Sequence, residues 1–345
     1  MTKRAEVPSR PTQLDVARAA GVSRALVSLV MRDAPNVAAD TRERVRAAAV
    51  ELGYRPNAFA RSLASKGTRT VGVYIYDTTN PHFANLFTSL AAAAERASFD
   101  VLVSPGTRSA ARESALINTL LEHQVAGLAL LSPSMKETTL RELGSSVPTV
   151  VVGRETTSTG IDVVTTDEYA AARLILRHLR DLGHQEIVHI SGGNDTRPGL
   201  DRAAAYRQVM RELGLTPVVV PGGFTPEGGR EGAAAALALP RRPTALAAAN
   251  DQAAVGALGY LRTLGLDVPG QISVVGFDDA QIAQLELVGL TTIDQRIERF
   301  GEVAMALLDE RITGGRDSSR IERIDPRLVV RATTGPASHR SASAS

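Results

Sequence analysis

The feature that most constrains the fold of this chain is a regular alternation of short apolar runs and alanine-rich helical segments beyond Gly67. This alternation is typical of parallel sheets that carry helices on both faces. Because the runs are more numerous than the strands of one ordinary sheet, the sequence predicts a two-lobed, doubly wound α/β body. The predicted strands are Thr70 to Tyr76, Asp100 to Ser104, Gly127 to Leu131, Val147 to Val152, Glu186 to Ser191, Pro217 to Val220, Ala245 to Ala248 and Ile272 to Phe277.

Two segments of the body, Gly160 to Thr166 and Leu290 to Gln295, have the short, extended character of connectors between lobes. They place the first lobe at about 69–165 and 296–325, and the second at about 166–295 and 326–334 within a body of 69–334. In such folds, ligands bind in the crevice at the carboxyl ends of the strands.

The segment 12–55 has the pattern of a small all-α helix-turn-helix head. Thr12 and Ser23 stand where they can cap two successive helices, and Gly21 supplies the tight turn between them. Val16 and Ala17 of the first helix, Val27 and Val30 of the second, and Val45, Ala49 and Leu52 of a third fall at core spacing. Asp40 to Glu43 has the spacing of a capping box that would begin the third helix. Such a head inserts the start of its second helix into the major groove of DNA.

The distribution of charge agrees with a head that binds an anion. Residues 1–69 contain 13 Lys and Arg against 6 Asp and Glu, whereas the remainder contains 26 against 31. The flanking segments are an arm at 1–11 and a Ser/Ala-rich tail at 335–345, both expected to be disordered. Between head and body, 56–68 is predicted to form a hinge helix and linker that is marginal alone.

Several classes of protein are disfavoured by what the sequence lacks. It contains no cysteine, which excludes disulfides, thiol catalysis and cysteine metal sites. No run of about 18 apolar residues indicates a membrane span, and the polar N-terminus lacks the apolar stretch of a secretory signal, which points to the cytoplasm. HExxH, GxSxG, Walker and GxGxxG strings are also missing. We therefore expect neither an enzyme nor a cofactor nor a metal site.

Several motifs in register carry a resemblance to a known family. The strings TQLDVARAAGVSRALVSLVMR, TRERVRAAAVELGYRPNAFARSLAS, NPHF, LGH, ANDQAAVGAL, ISVVGFDD and TTIDQ stand in the order in which LacI-family transcriptional regulators have theirs. The chain resembles that family over about 12–334. The resemblance implies a body similar to periplasmic sugar-binding proteins, a homodimer, a pseudo-palindromic double-stranded DNA operator, and an effector between the lobes that changes DNA affinity.

The resemblance also assigns residues that contact DNA. Arg24 and Ala25 match positions that face base edges, where an arginine can bond guanine in a bidentate manner. Leu63 matches the leucine that wedges into the minor groove. Leu29 and Arg32 depart from the usual residues, so the operator sequence is left open. A solvated helix start is the alternative for Arg24, and ordinary packing is the alternative for Leu63. The full set is Thr12, Ser23, Arg24, Ala25, Leu26, Ser28, Leu29, Arg32, Asn36, Thr41, Tyr54, Asn57, Ala60 and Leu63.

Six residues are expected to bind the effector because they match family pocket positions. Arg202 has a surface salt bridge as its alternative, and Gln295 has a structural role in the crossover as its alternative. Asp251 and Asp279, beside two of the six, are more typical of helix caps. The expected ligand residues are Asn80, Phe83, Arg202, Asn250, Asp278 and Gln295.

The function predicted from these features is a DNA-binding repressor whose operator affinity responds to a small polar effector, most simply a sugar. A plain sugar-binding protein is the competing class, and the basic head and missing signal segment oppose it. An α/β enzyme acting on sugars is a third class, and it lacks a catalytic constellation.

Overall fold

The computed structural model describes residues 11–54, 68–106, 109–193, 196–316 and 318–338. The chain divides into two compact units between Thr68 and Arg69. The predicted arm, except Pro11, and nearly all of the predicted hinge lie outside the described residues. Within the described ranges, no helix is both long enough and apolar enough to span a bilayer.

The first unit contains a bundle of three helices. Thr12 caps the first helix in a capping box with Asp15, and Gly21 ends it in the left-handed conformation at φ 64°. The Ser23 hydroxyl accepts a hydrogen bond from Leu26 N at 3.2 Å and so caps the second helix, as predicted. The three helices are α1 Gln13–Ala20, α2 Arg24–Met31 and α3 Ala39–Glu51.

The core of this head forms where the three helices meet. Val16, Val27 and Val45 are fully buried, as their spacing predicts. Two expectations about α3 are wrong. Leu52 is 37% exposed, because the helix ends before it and Ala48 takes the core position. The N-cap is Ala38 without a side-chain hydrogen bond, so Asp40 to Glu43 does not form the predicted capping box.

The second unit begins with a six-stranded, all-parallel sheet. We call this sheet, together with the helices packed on it, the first lobe. Its strand order is β11-β5-β4-β3-β1-β2, so the strand nearest the chain end lies at one edge. The strands are β1 Thr70–Ile75, β2 Asp100–Pro105, β3 Gly127–Leu131, β4 Thr149–Val152, β5 Ile161–Thr166 and β11 Ile321–Ile324. The helices are α4 Pro81–Arg96, α5 Ala110–Glu122, α6 Glu137–Ser146 and α12 Ile297–Ile312.

A smaller parallel sheet of four strands, in the order β7-β6-β8-β9, forms the second lobe with its own helices. A two-stranded antiparallel ribbon of β10 and β12 accompanies it. The strands are β6 Ile187–Ile190, β7 Val218–Val220, β8 Ala245–Ala248, β9 Ser273–Val275, β10 Thr292–Asp294 and β12 Arg327–Val329. The helices are α7 Glu168–Asp181, α8 Arg197–Glu212, α9 Pro226–Leu237, α10 Asp251–Thr263 and α11 Gln281–Gln284.

The segment Gly160 to Thr166 is not a connector, as the sequence suggested, but contains β5, which is buried along its whole length. Leu290 to Gln295 likewise contains β10. The chain first passes from the first lobe to the second where β5 ends at Thr166, so this crossover is shorter than the predicted Gly160 to Thr166. The start of the predicted tail is also ordered, since Gly335 O accepts from His184 Nε2 at 3.0 Å and Ala337 N donates to Leu182 O. Residues 339–345 lie outside the described ranges.

Two contacts attach the C-terminal part of the body to the rest of the first lobe. Helix α12 lies against α4 so closely that a Cβ on Gly301 would come within 2.3 Å of Ser89, and Ser89 Oγ donates to Glu298 O at 2.9 Å. At the other side, the fully buried Asp162 of β5 accepts from Arg311 Nε and Arg316 Nη2, both at 2.7 Å. Residues more than one hundred positions apart therefore complete one lobe.

Candidate functional site

The carboxyl ends of both body sheets border a cavity of about 320 Å³ between the lobes. Its wall combines polar side chains with the aromatic rings of Tyr76, Phe83 and Phe224. A pocket of this size, mostly preformed and with convergent polar groups, suits a small polar molecule.

The structure brings together five of the six residues predicted to bind an effector. Asn80, Phe83, Arg202, Asp278 and Gln295 all line the cavity. Asn80 also caps α4, since its side-chain oxygen accepts from His82 N at 3.0 Å.

The sixth residue, Asn250, does not line the cavity. It is 1% exposed, its side-chain oxygen accepts from Ala253 N to cap α10, and its Nδ2 donates to Phe224 O at 3.2 Å. Its neighbour Asp251 is buried as well, and it accepts from Ala280 N at 2.8 Å. Both side chains therefore serve the packing of the second lobe.

The guanidinium of Arg202 is held on three sides. Its Nε and Nη2 donate to the two carboxylate oxygens of Glu168 at 3.0 and 2.8 Å, and its Nη1 donates to Ala249 O. The guanidinium carbon lies 3.4 Å from the centroid of the Phe277 ring. The surface salt bridge considered from the sequence is thus replaced by a buried, bidentate pair inside the cavity wall.

The side chain of Asp278, in the second lobe, also approaches a residue of the first lobe. Its Oδ1 accepts from Gln295 Nε2 at 2.7 Å and lies 3.6 Å from Nδ1 of His82 on α4. Gln295 Oε1 in turn accepts from the hydroxyl of Thr166 at the end of β5. The backbone of Asp278 has φ 119°, a conformation that residues with a side chain rarely adopt. Such strain persists only where the surrounding contacts hold the residue in place.

Burial controls the protonation of this cluster. Burial raises the pKa of Asp278 to about 7, against the opposing influence of Arg202. Burial and the Asp278 carboxyl together raise the pKa of Asp251. Burial also lowers the pKa of His82 to about 4, so the imidazole is neutral at neutral pH.

Replacing Asp278 with Asn is expected to change how stability depends on pH. Because the pKa of Asp278 is raised in the folded state, its favourable contribution is complete below about pH 4 and is lost as the pH rises towards 7. The free energy of unfolding of the native chain, minus that of the variant, should therefore fall over this window. Urea unfolding at several pH values measures it, and parallel curves would contradict the prediction.

The sequence did not single out three residues of this wall, His82, Glu168 and Arg154. His82 stands inside the quoted string NPHF, so the motif itself was the available signal. Glu168 follows β5, and only the fold shows that it meets Arg202. Arg154 donates from Nη2 to Glu137 at 2.7 Å and from Nη1 to Pro133 O at 2.8 Å, holding the loop beside the cavity.

On the head, α2 presents a polar surface that we call the reading face, made of Arg24, Ala25, Ser28, Leu29 and Arg32. Arg24, Ala25 and Arg32 are exposed, and Leu29 is 39% exposed. Arg32 Nε donates to Ser28 O at 3.1 Å. These side chains have the spacing of one helix face, which is what entry into a major groove requires.

The remaining residues predicted to contact DNA have mixed environments. Thr12 and Asn36 are exposed, and Thr41 is half-buried. Leu26 and Tyr54 are half-buried and pack against the head core, so their side chains are partly engaged in folding. Asn57, Ala60 and Leu63 lie outside the described residues. Among the described residues, no cluster of His, Asp or Glu is arranged to hold a metal ion.

Comparison with known proteins identifies both parts of the chain. Residues 12–57 match the model of bacterial regulatory proteins of the lacI family, and residues 176–334 match the periplasmic binding protein-like domain. Catabolite control protein A of Priestia megaterium is 33% identical over 329 residues, covering 94% of this chain and 99% of the relative. The chain belongs to the LacI family of bacterial regulatory proteins.

Other LacI-family members show the same relationship along nearly their whole length. The HTH-type transcriptional repressor PurR of Vibrio campbellii is 32% identical, covering 92% of this chain and 97% of that protein. The crystal structure of the lac repressor dimer bound to operator and the anti-inducer ONPF has a TM-score of 0.86 at 28% identity, covering 95% of this chain and 100% of that one. The predicted family and fold class are therefore confirmed.

Proposed function

We propose that this LacI-family chain is a transcriptional repressor that binds an operator through the reading face and responds to a small polar effector in the cleft between the lobes. The observation that carries the proposal is the presence, in one chain, of a capped helix-turn-helix and a polar cavity bordered by both lobes. The predicted head, hinge and body at 12–55, 56–68 and 69–334 provide the route by which one site influences the other.

A sugar is the effector that the lining favours. Fixed polar groups such as those of Arg202, Asp278 and Gln295 suit hydroxyl groups, and aromatic rings such as that of Phe83 suit the apolar face of a sugar ring. A thermal-shift screen of neutral sugars tests this part, because a ligand bound only by the folded state raises the midpoint of unfolding. A nucleoside that stabilises the chain when no sugar does would contradict it.

The proposed mechanism is a shift of population between two arrangements of the lobes. An effector in contact with both lobes favours the arrangement to which it binds more tightly. Two copies of the chain, each with one head, match a pseudo-palindromic operator, and Leu63 in the predicted hinge is assigned to the centre of that site. The regulator acts where the chromosome is accessible, in the cytoplasm.

Replacing Arg24 with Ala is expected to weaken specific DNA binding by about 5- to 150-fold, the loss of one good base contact. Gel retardation with the best duplex selected from a random pool measures it. Arg18→Ala is the matched control, since it removes the same charge from the exposed surface of α1 and should weaken specific and non-specific binding alike. An Arg24→Ala variant that keeps its ratio of specific to non-specific affinity would show that Arg24 does not contact bases.

The alternative of a plain sugar-binding protein makes a different prediction for the same measurement. A plain sugar-binding protein would retain no duplex beyond the background binding that its positive charge gives. The match of residues 12–57 to the lacI family favours the repressor.

A further inference from the structure

Each arginine among the described lining residues of the cavity has a carboxylate partner. Arg154 pairs with Glu137 at 2.7 Å, Arg197 pairs with Asp201 at 2.9 Å, and Arg202 pairs with Glu168 at 2.8 Å. The positive charges of this wall are therefore compensated before any ligand enters.

Glu168 differs from the other two carboxylates because it lines the cavity itself, while Glu137 and Asp201 do not. Its side chain is 17% exposed, and both oxygens are engaged by the same guanidinium. As the first residue of α7, directly after the Asp167 cap, it also lies where the helix dipole favours a negative charge. The Glu168 carboxylate is thus fixed in place by the guanidinium at the N-terminus of α7.

The neighbouring charges would repel an anion. Asp278 stands in the same wall, and the charge of Glu168 acts to raise its pKa. An anion that approached Arg202 would meet the Glu168 carboxylate at hydrogen-bond distance from the same guanidinium. Like charges at such distances, away from bulk water, repel strongly.

We propose that Glu168 is a specificity-determining residue that restricts the cleft to uncharged ligands, by compensating and orienting Arg202. Three of the five N–H groups of Arg202 are used by Glu168 and Ala249, and its face is stacked on Phe277. The remaining N–H groups have fixed directions and donate to hydroxyl oxygens of a neutral ligand. The inference rests on the proposed effector role of the cleft and adds the charge class of its ligand.

The test uses inorganic sulfate as a minimal anion and the Glu168→Gln variant, which keeps the shape of the side chain and removes its charge. We expect the unfolding midpoint of this variant to rise by about 2 °C in a saturable manner with millimolar sulfate, since Arg202 becomes available. The native chain should show only the linear rise that sulfate gives any protein. Glu168→Asp, which retains the charge, should behave like the native chain.

Two controls locate the effect. Glu186→Gln removes one negative charge from an exposed ion pair of the same lobe and should show no saturable rise. Adding Arg202→Met to Glu168→Gln should abolish the saturable rise. A saturable rise in the native chain that disappears in Arg202→Met would overturn the proposal, and this comparison does not require the Gln variant to fold. A folded Gln variant without the rise would overturn it too.

The failure of this inference is distinguishable from the failure of the proposed function. DNA binding of the native chain, measured by gel retardation without effector, reports on the head and needs no variant of the cleft. If the native chain retains no duplex, the repressor role is wrong while the sulfate result still decides the role of Glu168.

Discussion

Replacing Arg202 with Met is expected to abolish the response to effector and to lower the free energy of unfolding by about 3–5 kcal/mol. The loss is large because Glu168 and Ala249 O would keep their buried positions without the donors that now satisfy them. Methionine has a similar length and leaves little empty space, so the change reports mainly on charge. Urea unfolding monitored by circular dichroism measures the stability term.

The double variant Glu168→Gln with Arg202→Met is the decisive comparison for this pair. It removes both charges, and we expect it to recover about half of the stability lost by Arg202→Met alone. Arg241→Met, which breaks the exposed pair with Glu186, should cost less than about 1 kcal/mol. If Arg202→Met were as stable as Arg241→Met, the buried pair would have no structural role.

Replacing Asp162 with Ala is expected to lower the free energy of unfolding by about 3–5 kcal/mol, without altering the cleft. Asp162 is fully buried in β5, and the two arginines that it binds are each less than a tenth exposed. The Arg320 backbone N–H also donates to it, at 2.7 Å. Removing the carboxylate leaves the buried Arg311 guanidinium without its carboxylate partner and leaves Arg316 with only the half-exposed Glu310. Urea unfolding at neutral pH measures the loss.

The pH dependence of this variant provides a second check. Burial alone would raise the pKa of Asp162, but hydrogen bonds from Arg316 and Arg311 outweigh it and hold the pKa below its ordinary value. The contribution of Asp162 is therefore present at neutral pH and lost as the pH falls through that lowered value. Glu310→Ala, which removes a half-exposed partner of Arg316, should cost less than about 1 kcal/mol. Equal losses for the two variants would contradict the role of Asp162.

Strands made of continuous apolar runs were predictable from the sequence, and short strands rich in polar or exposed residues were not. β3 and β4 are continuous apolar runs buried on both faces, so they stand out from their surroundings. β11 exposes three of its four residues and β12 is only half-buried, which leaves no period to detect. β5 contains Asp162 and a pair of threonines, and only its arginine partners explain how such a strand can be buried.

The residues of the cleft also differ in how far the sequence could predict them. Asp278, which follows a strand, was placed by its position in the pattern because parallel strands end at one edge, and Asn80 was placed by the resemblance of NPHF to the family motif. Glu168 was not, since its role depends on meeting a side chain 34 residues away. Asn250 lies at the end of a strand, as predicted, but its side chain does not face the cavity. It is held instead by hydrogen bonds to Ala253 N and Phe224 O.

The contact of Gly301 with Ser89 has a consequence for the order in which the protein forms during synthesis. All four strands of the second lobe's sheet lie between residues 187 and 275, whereas the first lobe needs α12 and β11 from beyond residue 296. On the ribosome the chain emerges from its N-terminus. All strands of the second lobe's sheet are therefore synthesised before α12, the last helix of the first lobe. The side of the first lobe that α12 covers, including Leu90, therefore stays open to the surrounding solution until translation is nearly finished.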